Sequence, residues 1–225
     1  MPLLSVIVPV FNESKTIRQI LEKISLVPVD KEMIVVDDGS TDGTDKILRD
    51  MRLDNMKVIH HSANRGKGAA FLTGLSNATG EFVIIQDGDL EYDPQEYLKL
   101  IEEIKKVGVD AVVGARFMKD YRGLLIPQLG NRFLTGLLNL LYGAKLNDCL
   151  SCYKLFRRET LLSLGITSCG FEVDTEILAK ALKKKLKLSQ VPISYAPRSY
   201  AEGKKIRIKD GIRYAINIIK NRFIN

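Results

Sequence analysis

Two aspartates that flank a glycine, Asp87 and Asp89, are the residues of this sequence best suited to bind a metal ion. They follow the apolar residues 83–85, a pattern that predicts a buried strand. One of the two carboxylates can hold a divalent cation while the other bonds a ribose or a metal-bound water. Carboxylate oxygens suit Mg²⁺ or Mn²⁺, which in turn bridge phosphate oxygens. Taken alone, the same three residues would also fit a capped turn.

Two further acidic groups follow predicted strands. Glu13 comes after the first apolar run, and Asp37 with Asp38 comes after the second. In parallel α/β sheets, ligands bind at the carboxyl ends of the strands, so we expect the three acidic strand ends to meet in one crevice. Successive aspartates exceed what helix capping needs, and one of them can accept hydrogen bonds from a nucleobase.

The elements that must position these residues are predicted by an alternation of strand and helix patterns. Apolar runs predict strands at residues 4–8, 33–36, 57–60, 82–85 and 111–113. Helical patterns lie between them, with Ser14 predicted to cap the first helix and Thr41 or Asp42 the second. This spacing predicts right-handed crossovers and an α/β fold with a mostly parallel central sheet and helices on both faces.

Composition describes an ordinary globular chain with an uneven charge. The 225 residues are 45% hydrophobic and 27% charged, and the net charge is +7. Residues 180–225 hold 13 Lys and Arg against two Asp and Glu. That segment is either a solvated basic face or a surface for phosphates, lipid headgroups or nucleic acid. A non-enzymatic nucleic-acid-binding protein is one interpretation, but aromatic platforms between the basic residues are missing, so we expect no nucleic acid partner.

Cysteine usage and hydropathy indicate the compartment. Three cysteines, an odd number, argue against a disulfide framework and for a reducing environment. Cys149 and Cys152 form a CxxC pair, which we interpret as two ordinary thiols because two further zinc ligands are not suitably spaced. No apolar stretch reaches the length of a membrane span, and no basic leader precedes residues 3–11. We therefore expect a cytoplasmic protein whose membrane attachment is peripheral.

Four segments together carry a resemblance to a known family. Residues 5–13 (SVIVPVFNE) and 35–44 (VVDDGSTDGT) resemble glycosyltransferase family 2. Residues 64–68 (NRGKG) and 86–90 (QDGDL) are similar to its polyprenyl-phosphate branch, whose best-known members are the dolichyl-phosphate mannose synthases. The resemblance covers about residues 4–210. It implies the GT-A type nucleotide-diphospho-sugar transferase fold and an inverting transfer that needs Mg²⁺ or Mn²⁺.

The resemblance also implies roles for individual residues. It implies metal ligands at Asp87, Asp89 and Glu91, with Asp89 the main ligand, and catalytic roles for Asp89, Arg116 and Arg132. Donor-binding residues would be Pro9, Phe11, Glu13, Val36, Asp38, Asp87, Gly88, Arg198 and Lys204. Three positions depart from the family pattern: Glu91 replaces a glutamine, Phe11 a tyrosine, and Cys152 a glycine within residues 148–154 (DCLSCYK).

The implied reaction moves a sugar from GDP-mannose or a UDP-sugar to a polyprenyl (dolichyl) phosphate at a membrane surface. Arg132 is our candidate for holding the acceptor phosphate. The basic residues 199–209 either form a solvated loop or close over the diphosphate through Lys204. We expect a single domain in which residues 1–115 bind the nucleotide sugar, 116–210 face the acceptor, and 211–225 form an amphipathic helix. The helical stretches 124–142 and 211–223 would either pack on the core or lie on the membrane.

A second reaction fits the same fold. Transfer to a saccharide hydroxyl, as in glycan or polysaccharide synthesis, would need a carboxylate general base. Asp148, Glu172 and Asp174 are the candidates for that base. A phosphate acceptor is already largely ionised near neutral pH, since its second pKa is about 6, and needs cations more than a base.

Overall fold

The computed structural model describes residues 1–118, 125–198 and 208–224, with only the backbone described for Ile208. This part of the chain forms seven strands and eight helices, with short 3₁₀ turns at Pro94–Glu96 and Arg116–Met118. The strands are β1 (Leu4–Val10), β2 (Lys31–Asp37), β3 (Met56–His60), β4 (Phe82–Ile85), β5 (Ala111–Ala115), β6 (Lys154–Arg157) and β7 (Leu188–Pro192). The helices are α1 (Ile17–Ser25), α2 (Thr44–Asp50), α3 (Lys67–Leu75), α4 (Tyr97–Ile104), α5 (Leu125–Tyr142), α6 (Arg158–Ser163), α7 (Val173–Lys183) and α8 (Ile208–Phe223).

All seven strands of the described chain form one sheet in the order β3-β2-β1-β4-β6-β5-β7. The pairs β1–β2, β1–β4, β2–β3 and β5–β7 are parallel. Strand β6 runs antiparallel to both of its neighbours, β4 and β5. The five strands predicted from the apolar runs are confirmed, each within two residues of its predicted ends. Strands β6 and β7 were not predicted, and β6 is the exception to the parallel arrangement.

Burial shows that the centre of the sheet is covered on both faces. Every residue of β1 and of β4 is buried, as expected for parallel strands between two layers of helices. Right-handed crossovers account for the two layers, because β1 to β3 extend the sheet in one direction and β4 extends it in the other. The predicted α/β fold is therefore confirmed.

The starts of the first two helices differ from the prediction. Helix α1 begins after Thr16, and the backbone N–H of Ser14 instead donates to Asp42 at 3.0 Å. Helix α2 begins after Gly43, whose φ of 94° suits a glycine. The Asp42 carboxylate still accepts the backbone N–H of Thr44 at 3.1 Å. Asp42 therefore satisfies one of the unpaired N–H groups at the start of α2, although it lies one residue before the N-cap Gly43.

A second hydrophobic cluster lies beside the sheet. Helices α5, α7 and α8 contact one another, and their buried residues Leu138, Leu178 and Ile218 pack with Val113 of β5. In the described ranges, no helix combines the length and the apolar composition that crossing a bilayer requires. The three cysteines are free thiols, with Cys149 and Cys152 buried in the interior.

Candidate active site

A cavity of about 600 Å³ opens at the carboxyl ends of the central strands. Glu13, Asp87, Asp89 and Glu91, all from the first half of the chain, form its acidic wall. The second half contributes most of the basic groups and several aromatic rings, together with the acidic residues Asp174 and Asp210. The predicted residues that line the cavity are Pro9, Phe11, Glu13, Asp38, Asp87, Gly88, Asp89, Glu91, Arg116 and Arg198, together with the candidate base Asp174. The structure thus brings together most of the residues chosen from the sequence.

Arg198 lies at the centre of the acidic wall. Its guanidinium donates to Asp89 Oδ2 at 2.7 Å and to the two oxygens of Glu13 at 2.9 and 3.3 Å. Burial, with the charges of Asp87 and Glu91, raises the pKa of Asp89 to about 7, although Arg198 opposes this rise. The wall therefore carries more negative charge than its arginine neutralises.

Asp87 belongs to a separate chain of alternating charges. Lys67 Nζ lies 2.8 Å from Asp87 Oδ1 and 3.2 Å from Asp174 Oδ2, and Lys154 Nζ lies 3.0 Å from the other oxygen of Asp174. Burial favours neutral lysine, but Asp174 and Asp87 outweigh it and hold the pKa of Lys67 well above its usual value. Lys67 is thus a permanent cation beside the first aspartate of the motif.

Glycines at the start of α3 allow this contact. Gly66 has a φ of 99°, and a Cβ there would lie 2.4 Å from the carbonyl oxygen of Cys169. A Cβ on Gly68 would lie 2.1 Å from the carbonyl oxygen of Ser168. The backbone of residues 168–169 can therefore press against α3, which brings Asp174 of α7 within reach of Lys67. Sequence reasoning used the NRGKG segment only for its resemblance and missed Lys67 itself.

Arg116 is held rigidly at the end of β5. Its Nε and Nη2 donate to the two oxygens of Asp148 at 2.7 and 2.9 Å, and Asn131 donates to Asp148 at 2.7 Å. The guanidinium also stacks over the ring of Tyr195, 4.8 Å from its centroid. Burial alone would raise the pKa of Asp148, but Arg116 holds it below its usual value. Tyr195 was not predicted as a site residue, and the sequence around it offers no pattern that indicates one.

Asp38 faces the loop before α3. Its carboxylate accepts the N–H groups of Arg65, at 3.0 and 3.1 Å, and of Gly66, at 2.7 Å, and pairs with His61 at 2.7 Å. Asp38 is 2% exposed, and the Val36 side chain is fully buried in β2. Any contact of Val36 with a ligand would have to come from its backbone.

Glu91 receives hydrogen bonds from the segment that follows β7. Its carboxylate accepts the hydroxyl of Tyr195 and the backbone N–H of Arg198, each at 2.8 Å. Its carbonyl accepts the N–H of Ala196 at 2.9 Å. Glu91 therefore fixes the backbone on which Arg198 sits, a role that its metal-ligand prediction did not anticipate.

Of the predicted site residues that the structure describes, Val36 and Arg132 do not line this cavity. Arg132 is exposed on α5 and is absent from the described cavity lining. Lys204, with residues 199–207 of the predicted closing loop, lies outside the described residues. The basic residues that line the cavity from the C-terminal side are Lys209 and Arg213 of α8.

The acidic wall fits a divalent cation that is bound jointly with phosphate. No group of three His, Cys, Asp or Glu side chains in residues 1–118, 125–198 and 208–224 is arranged to hold a metal ion alone. Mg²⁺ usually takes one or two carboxylates and completes its shell with water and substrate phosphates. The guanidinium between Glu13 and Asp89 shows that this position accepts positive charge.

Comparison with known proteins places these observations in a family. A sequence model described as Glycosyl transferase family 2 matches residues 5–165. The chain is 30% identical to the low-salt glycan biosynthesis hexosyltransferase Agl6 of Haloferax volcanii, with 98% of this chain and 54% of the relative covered. It is also 30% identical to the UDP-N-acetylglucosamine–dolichyl-phosphate N-acetylglucosaminyltransferase of Methanococcus voltae, with 97% and 96% covered.

Other relatives are longer than this chain. The chain is 29% identical to the dolichol-phosphate mannosyltransferase of Pyrococcus furiosus and spans 58% of its length. Among solved structures, glucosyl-3-phosphoglycerate synthase from Mycobacterium tuberculosis in complex with UDP superposes with a TM-score of 0.78 at 24% identity, covering 100% of this chain and 81% of that one. That likeness concerns the fold.

Proposed function

Because the chain belongs to glycosyltransferase family 2 and has the GT-A fold, we propose that it transfers a sugar from a nucleotide-diphosphate donor to a polyprenyl phosphate. The donor is GDP-mannose or a UDP-sugar, and the anomeric carbon inverts. The near full-length relative from Methanococcus voltae, named for a UDP-sugar donor and a dolichyl-phosphate acceptor, supports this choice.

One observation carries the choice of acceptor: two of the three candidate bases are already paired with cations. Asp148 is bound by Arg116, and Asp174 by Lys67 and Lys154. Burial raises the pKa of Asp174, but Lys154 and then Lys67 hold it below its usual value. A carboxylate with so low a pKa is a weak base for a sugar hydroxyl. The third candidate, Glu172, accepts the N–H of Gly170 and is absent from the described cavity lining.

The basic side of the cavity suits an anionic acceptor. Lys209 and Arg213 of α8 line it, together with Asp210, whose Oδ1 lies 3.8 Å from Arg213 Nη1. A phosphate monoester is mostly ionised near neutral pH, since its second pKa is about 6, and attacks without a base if cations position it. We assign that positioning to Lys209 and Arg213. Arg132, exposed on α5, would meet the acceptor outside the cavity.

On the donor side, Asp89 with Asp87 would hold Mg²⁺ or Mn²⁺, which neutralises the negative charge that develops on the departing nucleotide diphosphate. Arg116, paired with Asp148, and Arg198, paired with Asp89, add positive charge to the cavity. Lys67, 2.8 Å from Asp87 Oδ1, holds that carboxylate in place. Phe11 and Pro9 supply apolar surface for the nucleotide at the end of β1.

The helices beside the cavity offer a surface for the lipid. In α8, Ile212, Ile216, Ile219 and Phe223 are 44–72% exposed and lie opposite the buried Tyr214 and Ile218. In α5, Leu129, Phe133 and Leu140 are 63–81% exposed and lie opposite Leu134 and Leu138. Since the two helices pack together, each predicted amphipathic stretch contacts the core on one side and presents an apolar stripe on the other. We propose that these stripes rest on the membrane.

In the direct test, the protein is incubated with a labelled donor, either GDP-mannose or a UDP-sugar. The acceptors offered are dolichyl phosphate, undecaprenyl phosphate and simple saccharides. We expect label in the organic, lipid-containing phase. Label in saccharide products alone would contradict the proposal and favour the hydroxyl acceptor with a carboxylate base.

A further inference from the structure

The position of the Arg198 guanidinium conflicts with metal binding at Asp89. Arg198 donates to Asp89 Oδ2 at 2.7 Å, and the backbone N–H of Glu91 donates to Asp89 Oδ1 at 3.1 Å. Both oxygens of Asp89 therefore already have a donor. A cation that binds at Oδ2 is repelled by the guanidinium at 2.7 Å from the same oxygen, so its binding favours displacement of the arginine.

The arginine has a reason to occupy this position without a metal ion. Glu13 and Asp89 are each about 10% exposed at their side chains, and the Arg198 side chain is 16% exposed. Buried carboxylates without a countercharge are costly, and a guanidinium can pair with two of them at once. Asp87 does not depend on Arg198, since Lys67 lies 2.8 Å from it. The two carboxylates of the motif thus have separate cations.

The backbone of Arg198 is anchored independently of its side chain. Glu91 accepts the backbone N–H of Arg198 at 2.8 Å, and its other oxygen accepts the hydroxyl of Tyr195 at 2.8 Å. Rotation of the side chain can therefore move the guanidinium off Asp89 while Cα stays at the rim of the cavity. There, the diphosphate of a bound donor would offer it a new anionic partner.

We propose that Arg198 is an exchangeable counterion: it neutralises Glu13 and Asp89 in the metal-free protein and moves to the donor diphosphate when a divalent cation takes its place. This inference rests on the proposed nucleotide-diphosphate donor. It makes the metal and the donor bind cooperatively, because the metal releases the arginine and the diphosphate keeps it from returning.

The test is a Mn²⁺ titration of the full chain without nucleotide, followed by calorimetry or by electron paramagnetic resonance. Arg198→Gln should bind Mn²⁺ roughly tenfold more tightly than the unaltered protein, since the competing cation is gone. The matched control is Arg213→Gln, which removes a positive charge from the same cavity without disturbing a described contact to Glu13 or Asp89. Its Mn²⁺ affinity should rise less than about threefold through the weaker long-range field.

In a second titration, with nucleotide, the same substitution should weaken binding. With Mn²⁺ saturating, Arg198→Gln should bind GDP or UDP roughly tenfold more weakly, because the diphosphate loses its charged donor. Arg198→Lys keeps the charge, so its affinity for GDP or UDP should lie between those of the unaltered protein and Arg198→Gln. Circular dichroism checks that each variant is folded.

Two results would overturn the exchange. One is a Mn²⁺ affinity of Arg198→Gln no higher than that of Arg213→Gln. The other is tighter Mn²⁺ binding with unchanged nucleotide affinity, which would make Arg198 a competitor of the metal only. Neither titration involves an acceptor, so failure of the lipid acceptor in the transfer assay leaves both results interpretable. Failure of every nucleotide to bind the unaltered protein would count against the proposed donor, while the Mn²⁺ titration alone still tests the competition.

Discussion

Single charged residues determine what each part of this cavity can bind. Lys67 and Arg198 take one aspartate of the Asp87–Asp89 pair each, but they differ in permanence. Each lies between two carboxylates, but Lys67 stands at the start of helix α3, whereas Arg198 comes from the segment that leaves the sheet after β7. The position beside Asp89 is therefore the one that can exchange its cation, and Asp89 is the residue on which metal binding should depend.

Replacing Asp89 by alanine should abolish metal-dependent turnover while the fold persists. The carboxylate serves the cation, and its removal relieves a crowd of like charges, so the free energy of unfolding should change by less than about 2 kcal/mol. The measurement is turnover at saturating Mn²⁺, with circular dichroism as the check on folding. Asp93→Ala is the control, because Asp93 is exposed in the same loop and its described side-chain hydrogen bond is to the backbone N–H of Gln95. Near-normal turnover in folded Asp89→Ala would refute the metal assignment.

The acceptor determines the expected pH dependence. Since Asp148 and Asp174 have lowered pKa values, both are ionised throughout the neutral range. Neither residue therefore makes the rate depend on pH in that range. Burial raises the pKa of Asp89 to about 7 without a cation, so the rate is measured with Mn²⁺ saturating, which keeps that carboxylate ionised. The rate should then fall as pH drops through about 6, where the acceptor phosphate gains a proton.

Asp174→Asn tests this origin of the acidic limb. The variant should lose about 3 kcal/mol of stability, because Lys67 and Lys154 lose their shared partner. The acidic limb of kcat/KM should nevertheless stay, measured well below the melting temperature. Disappearance of that limb in the variant would identify Asp174 as a general base and support a hydroxyl acceptor.

Helices α5 and α8 each have two apolar sides, and only one of them is covered by the protein. Basic residues on α8, including Lys220 and Arg222, flank the exposed stripe. An apolar stripe with basic flanks matches the chemistry of a bilayer that contains anionic lipids. The start of α8 also lines the cavity, so a lipid tail on the stripe could present its phosphate to Lys209 and Arg213.

The double substitution Ile212→Ser and Ile216→Ser should weaken binding to vesicles of phosphatidylcholine with phosphatidylglycerol. Burial of two isoleucine side chains in the bilayer contributes several kcal/mol. Their loss should therefore lower the partition coefficient at least tenfold. Vesicle flotation measures it, and the melting temperature should hardly move because both side chains are exposed. Leu162→Ser, on α6 and 45% exposed, is the control. Equal flotation of the double variant and the control would place the membrane contact elsewhere.

The sequence predicted the elements whose patterns are local. Strands β1 to β5 follow from runs of apolar residues, and the acidic residues at their ends do gather at one edge of the sheet. Strands β6 and β7 were missed because β6 has four residues, one of them the buried Lys154, and β7 has only one fully buried residue. Their strand character depends on neighbours that are distant in the sequence.

The sequence also could not show which donors the carboxylates of the site accept. Asp38 was expected to face a nucleobase, but its oxygens organise the turn before α3. Glu91, predicted as a metal ligand, lines the cavity and also accepts hydrogen bonds from Tyr195 and Arg198, which the sequence did not predict. In both cases the partner lies more than 20 residues away, and a local pattern cannot show which of several nearby donors a carboxylate will accept.

At the scale of the whole molecule, the cavity should recognise a nucleotide diphosphate only together with a divalent cation. A panel of GDP- and UDP-sugars with Mn²⁺ should raise the melting temperature for one base more than for the other. A ligand at a hundred times its Kd stabilises the folded state by about 2.7 kcal/mol, which a thermal shift detects easily. Chelation with EDTA should remove the effect. A shift that persists without metal would mean that the arginines and Lys67 suffice for the diphosphate.

The antiparallel strand β6 has a consequence for how this protein is made. Strand β5 cannot join the sheet directly, because its place beside β4 is taken by β6, which begins 39 residues after β5 ends. A ribosome adds about 5–20 residues per second, so for some seconds the nascent chain carries β4 with an open edge. All four residues of β4 are buried in the finished protein, and an open apolar edge invites pairing with other chains. Slow synthesis between residues 115 and 157 should therefore lower the soluble yield more than slow synthesis after β6.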